Sequence, residues 1–158
     1  IITNRYHKIH PFSFAEEDKF FTAGDRTETF ELNGFHISLL ICYDLRFPEV
    51  FRKTAGSTDL YLVVGNWPEA RIDHWVTLLK ARAIENQSYV VGLNRVGTDG
   101  NGVFYSGDSA IIDALGESIS AVPASQCFVD VFTLSKENLL NVRQRFGFLA
   151  DQDAFELK

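Results

Sequence analysis

HISLLICYDLRFPEVF, running from His36 to Phe51, holds a strand, a cysteine and the start of a helix in sixteen residues. Ile37, Leu39 and Ile41 alternate with His36, Ser38, Leu40 and Cys42, so both faces of an extended segment are largely apolar. A strand of that kind is buried on both sides, as the strands of parallel sheets are. Pro48 sits where a first helical turn tolerates it, Glu49 lies in that turn, and Phe47, Val50 and Phe51 give the helix its apolar side. Cys42 therefore stands between a buried strand and a helix.

Upstream, Thr29–Leu32 and Phe35–Ile41 flank Asn33-Gly34, the preferred pair for a two-residue hairpin. Before them a polar and aromatic loop runs from Lys8 to Gly24, preceded by a strand expected around residues 1–6. Downstream, DLYLVVG has strand length and leads into a helix on which Ile72, Trp75, Val76, Leu79 and Ala83 recur at helical spacing. SYVVGLNRVG reads as a third buried strand, and TDGNG leads into GVFYSGDSAIID as a loop or hairpin. QCFVDVFTL, with Cys127 in its core, is expected to close the sheet. Ser135 is a good N-cap for KENLLNVRQRF, and an extended tail follows, with Phe148, Leu149, Phe155 and Leu157 as apolar anchors. The class is α/β with mixed strand pairing, helices on one face and another sheet or subunit on the other.

Composition narrows the function. Fifteen Lys and Arg against 21 Asp and Glu leave a net charge of −6 with no basic run to follow a phosphate backbone, so nucleic acid is not an expected partner. No stretch approaches the ~20 apolar residues of a membrane span, and IITNRYHKIH lacks the features of a signal peptide; a cytoplasmic protein without membrane contact is expected. Cys42 and Cys127 lie too far apart for a Cys-x-x-Cys site, His7 and His10 are the only close histidines, and Asp99-Gly-Asn-Gly reads as a turn. No metal is expected. The absence of any Met, the first position included, points to a piece of a longer protein.

A lone cysteine ending a buried strand occupies the place where α/β enzymes hold nucleophiles, and a helix N-terminus with a nearby cation would favour its thiolate. A buried structural cysteine is the other reading of the same pattern.

YHKIHPFSFAEE, ICYDLRFPE, NWPEARIDHW, KARAIENQSYVVGLNRVG and YSGDSAIID, in that order, resemble the nitrilase superfamily of carbon–nitrogen hydrolases. NWP, GTDGNG and VRQRFGFLADQDAF are similar to its omega-amidase branch, which removes ammonia from α-keto-acid amides. The resemblance implies a single domain over residues 1–158, the C-terminal portion of a four-layer α-β-β-α sandwich, and a Glu–Lys–Cys triad that uses no cofactor. It makes Cys42 the nucleophile and Lys8 the triad lysine. Glu17, in preference to Glu16, becomes the supporting carboxylate. The first triad Glu precedes the lysine in the family, and nothing in IITNRYH can replace it, so the isolated polypeptide is expected to be inactive.

By position, the Tyr43 backbone N–H could donate to an oxyanion alongside Lys8. Arg46 could pair with Glu49 or read a substrate carboxylate, and Asn66 and Trp67 could line a pocket or pack in the core. Arg82, Glu85, Asn94 and Arg95 read as fold-holding polar groups. The function expected is hydrolysis of a small amide through a Cys42 thioester, in a homodimer whose contact uses the helix after Cys42 and the tail. The competing expectations are a noncatalytic remnant acting as an interaction module and a thiol redox sensor.

Overall fold

The structure is a computed structural model and describes residues 4–120 and 123–153. Its centre is a five-stranded sheet in the order β1 (Thr29–Leu32), β2 (Phe35–Ile41), β3 (Leu60–Gly65), β4 (Tyr89–Asn94) and β7 (Ala110–Ile112). The hairpin of β1 and β2 turns through Asn33 and Gly34, both at positive φ (49° and 80°). β2, β3 and β4 run parallel, and β7 returns antiparallel to β4. β5 (Val96–Thr98) and β6 (Phe104–Ser106) form a separate antiparallel hairpin.

The two-period alternation sends side chains into two separate clusters. Leu40, Tyr61, Val63, Val90 and Ile112 face α1 (Pro48–Thr54) and α2 (Ile72–Asn86), where they meet Val50, Phe51, Trp75, Leu79 and Ala83. Ile37, Leu60 and Tyr89 face the other way, onto Leu139 and Val142 of α3 (Lys136–Arg145). Helices therefore cover parts of both faces, not one. α3 reaches the second face because Arg143 donates to the Gln87 and Thr58 carbonyls and to Asp59 at 2.9, 2.6 and 3.1 Å, while Lys136 also binds Asp59. Ser135 caps α3 by accepting from the Asn138 N–H at 3.1 Å.

Five further expectations are corrected. No strand forms over residues 4–6, which pair with no strand among the described residues; residues 1–3 fall outside them. QCFVDVFTL is not a strand, because Ile119 donates to Ile111 and Ser118 bridges Ile112, so the free edge of β7 is already occupied. Cys127 is accordingly exposed, not core. Val76 lies on the outer side of α2, more than a third exposed. In the tail, Phe148–Asp151 is a 3-10 turn, not extended chain, while Phe155 and Leu157 lie outside the described residues.

Candidate active site

Cys42 directly follows β2 with its backbone in the left-handed region, at φ 48°, and opens the 3-10 turn Cys42–Arg46. A residue with a Cβ held there carries strain of order 1–3 kcal/mol, a cost met where surrounding structure fixes a side chain for use. The half-buried Sγ lies 4.0 Å from the Asn66 carbonyl oxygen. Burial pushes the thiol pKa up from its ordinary value; the Asn66 carbonyl contact and the Lys8 charge pull it down, while Glu17 and Asp44 oppose them. The net direction is upward, against the expected favoured thiolate, because desolvation outweighs the Asn66 contact and the Lys8 charge. At neutral pH the thiol is protonated and needs a proton acceptor to react.

Lys8 reaches the same place from the first loop. Its ammonium is bound to Glu17 at 2.5 Å, with Lys8 nearly buried, and Glu17 also accepts the Phe12 N–H at 2.7 Å. Burial raises the Glu17 pKa, but the hydrogen bonds from Lys8 and Phe12 prevail and hold it below the usual carboxylate range. Glu17, not Glu16, is the partner: Glu16 pairs with Lys19 at the surface. The Lys8 carbonyl accepts from Gly24 at 2.7 Å, and a Cβ on Gly24 would lie 2.2 Å from the His7 oxygen, so only glycine lets these segments touch.

Asp44, which the motif reading passed over, ties the two segments together. Its carboxylate has no exposure and accepts from the Tyr6 hydroxyl (2.8 Å), the His10 N–H (3.0 Å), His10 Nδ1 (2.9 Å) and the Ile41 N–H (3.0 Å). The His10 ring stacks on Phe47 at 3.7 Å. Tyr6 and His10 bracket Lys8 by two residues on each side, so one buried carboxylate presents the lysine to the cysteine elbow. The visible signal was the alternation Tyr6, Lys8, His10; its meaning depends on Asp44 lying opposite.

Around these groups, the Tyr43 ring packs against Phe12 and Phe47 at 4.7 and 5.2 Å. Arg46 does not pair with Glu49: its guanidinium lies 4.8 Å over Trp67 and donates to His74 Nδ1 at 3.1 Å. Trp67 is both core and support, buried with Trp75 at 5.6 Å, its backbone N–H donating to Asn94 Oδ1 at 2.7 Å and its indole N–H to the Arg71 carbonyl at 2.8 Å. Asn66 offers its carbonyl to Cys42 while its side chain is exposed. Arg82 holds the Leu45 carbonyl with two N–H groups and pairs with Glu85, as fold-holding groups do. Arg95 departs from that expectation, being exposed and stacked 4.6 Å over Tyr105. Asp99 accepts the Asn101 and Val103 N–H groups and the Tyr105 hydroxyl, which makes it a turn lock.

Residues 1–129 match the model of the carbon–nitrogen hydrolase family. The chain is 48% identical over 154 residues to the omega-amidase YafV of Yersinia enterocolitica, covering 97% of this chain and 59% of that protein. It is 39% identical over 155 residues to the 2-oxoglutaramate amidase of Paenarthrobacter nicotinovorans, covering 94% of this chain and 52% of that enzyme. The crystal structure of XC1258 from Xanthomonas campestris, a CN-hydrolase superfamily protein with an arsenic adduct in its active site, superposes with a TM-score of 0.92 at 41% identity, over 98% of this chain and 61% of that one. The chain thus spans less than two thirds of the length of these relatives, and its sheet and helices are part of the nitrilase-superfamily α/β sandwich. A buried strand ending in a strained Cys42, a lysine loop fastened beside it and a matching family model agree: the chain belongs to the carbon–nitrogen hydrolase family.

Proposed function

We propose that the complete protein is an amidase of the omega-amidase type, releasing ammonia from small 2-oxo-acid amides such as 2-oxoglutaramate through a Cys42 thioester. The observation that carries this reading is the approach of the Lys8 ammonium, held by Glu17, to the elbow that bears Cys42, with Asp44 joining the two. Relatives named omega-amidase and 2-oxoglutaramate amidase support the substrate class.

In this reading Cys42 Sγ attacks the carboxamide carbon, and the resulting oxyanion is met by the Lys8 ammonium and the Tyr43 N–H. The raised thiol pKa requires a base to take the proton and return it to the leaving ammonia. The family pattern assigns that base to a Glu upstream of Lys8, and Glu17 and Asp44 are already engaged by donors. Water then cleaves the thioester with help from the same base. Arg46, free of Glu49 and placed over Trp67, receives the substrate carboxylate, with Asn66 at the pocket wall. A cytoplasmic homodimer completes the reading, supported by the exposed Phe148 and Leu140 near the C-terminus.

The engagement of both neighbouring carboxylates also favours a second reading, a noncatalytic interaction module. One experiment separates them: in the complete protein, ammonia release from 2-oxoglutaramate and the mass of the enzyme during turnover. An acyl adduct on Cys42, with activity lost in Cys42→Ala and the fold retained, supports the amidase. Activity that survives Cys42→Ala removes Cys42 from the mechanism.

A further inference from the structure

Cys42 follows β2 at the level where β3 and β4 also end, since Ile41 pairs with Val64 and Gly65 with Asn94. A Cβ on Gly65 would lie 3.7 Å from the Cys42 Cα, and the Gly65 carbonyl accepts the Arg95 N–H at 3.2 Å. With strands about 4.8 Å apart, the Arg95 backbone stands about 10 Å from that of Cys42, on the carboxyl edge where α/β sheets bind ligands.

The β5–β6 hairpin aims this arginine. Gly97 lies directly across from Tyr105 and leaves the space above the ring empty, so the diagonal neighbour Arg95 lays its guanidinium there, 4.6 Å from the ring centre. Tyr105 is nearly buried, and its hydroxyl donates to Asp99 at 2.9 Å, which keeps the ring from turning. Burial and the contact with Asp99 raise the Tyr105 pKa from its ordinary value, and the Arg95 charge over the ring partly offsets them.

Arg46 on Trp67 mirrors this arrangement, and neither arginine takes part in an ion pair among the described residues. One side chain spaces the two platforms: the Asn94 amide donates to the carbonyls of Trp67 (2.9 Å) and Gly107 (2.8 Å). Two planar guanidiniums on the carboxyl edge of the sheet that bears Cys42 offer more donors than a single carboxylate needs. They suit a carboxylate with an adjacent 2-oxo oxygen.

We propose that Arg95, held on Tyr105, is a specificity-determining residue of the Cys42 site, recognising with Arg46 the 2-oxo-carboxylate end of an acidic amide. The inference rests on the reading of Cys42 as the reactive centre.

Two measurements on the complete protein test it. Arg95→Gln should lower the ratio of kcat/KM for 2-oxoglutaramate to that for butanamide at least tenfold, mainly through KM. Arg95→Lys should not restore the ratio, because an ammonium lacks the planar donor pair. Equal losses on both amides, or no loss, overturn the proposal. Protection of Cys42 from iodoacetamide by 2-oxoglutarate needs no turnover: its half-protecting concentration should rise at least tenfold in Arg95→Gln, and an unchanged value overturns the proposal. Arg95-dependent protection in a protein that releases no ammonia supports Arg95 and sinks the amidase reading alone.

Discussion

Asp44 and Gly24 show how single residues set the reactive geometry without touching substrate. Replacing Asp44 with Asn keeps the shape but loses a charge that accepts four hydrogen bonds in a site without solvent. Charge-assisted bonds of this kind are each worth about 1.5–3 kcal/mol, so Asp44→Asn should cost at least about 2 kcal/mol in urea denaturation. Gly24→Ala drives a Cβ into the His7 carbonyl and must displace the Lys8 backbone. A fall in kcat of tenfold or more, with KM little changed, is the expected result in the complete protein. Cys42 yields a pH prediction: because its thiol pKa is raised, iodoacetamide should alkylate it slowly at neutral pH and faster with each rise in pH to beyond the ordinary thiol range. Lys8 lowers that pKa, so Lys8→Ala should shift the alkylation profile to still higher pH; a shift downward would show that Lys8 does not face the thiol.

Elements are held to one another by a few polar clamps, and the strongest joins α3 to the sheet. Asp59 is almost fully buried between Lys136, Arg143 and the His36 N–H. Arg143→Ala should cost about 3 kcal/mol, the low end for a broken buried pair, because Lys136 still neutralises Asp59. Burial raises the Asp59 pKa, but Lys136, the His36 N–H and Arg143 bring it below the ordinary value, as donors do for Glu17. A depressed folded pKa contributes stability above the unfolded carboxyl value near ~4 and loses it as pH falls through the folded value. The urea midpoint should therefore drop between pH 6 and pH 3, and Asp59→Asn should flatten that drop. QCFVDVFTL shows the limit of element-level patterns: its alternation is real, but a strand needs a free edge, and residues 118–119 already hold that of β7.

Across the whole molecule, apolar area on the second sheet face exceeds what α3 covers. Leu93 and Val64, paired across β4 and β3, remain about half exposed, and Val129 and Val131 on the segment before α3 are almost entirely so. Exposed apolar side chains that adjoin one another mark contact surfaces. The 158-residue polypeptide alone should bind a hydrophobic dye strongly and self-associate; a monodisperse monomer with no dye binding would contradict this. The proposed homodimer is tested by deleting residues 147–158 from the complete protein and measuring mass by light scattering: loss of the dimer is expected, and an unchanged dimer would exclude the tail from the contact. Among the described residues, no helix is long and apolar enough to cross a membrane.

Local chemistry was enough to read the hairpin at Asn33-Gly34, the strand–Cys–helix order around Cys42, the course of α2 and the Ser135 cap, because each depends on neighbours within a few positions. The motif order also identified Lys8 and Glu17, which the fold brings together at 2.5 Å. What depended on distant partners was not legible: the buried role of Asp44, the turn of Arg46 from Glu49 to Trp67, the stacking of Arg95 on Tyr105 and the upward pKa of Cys42. The sequence by itself determined the β1–β2 hairpin, the strands β3 and β4 and the helices α1, α2 and α3, because turn pairs, periodicity and caps act within a few positions. Tertiary structure alone decided which buried groups meet, since desolvation and charge act through distances that the order of residues does not contain.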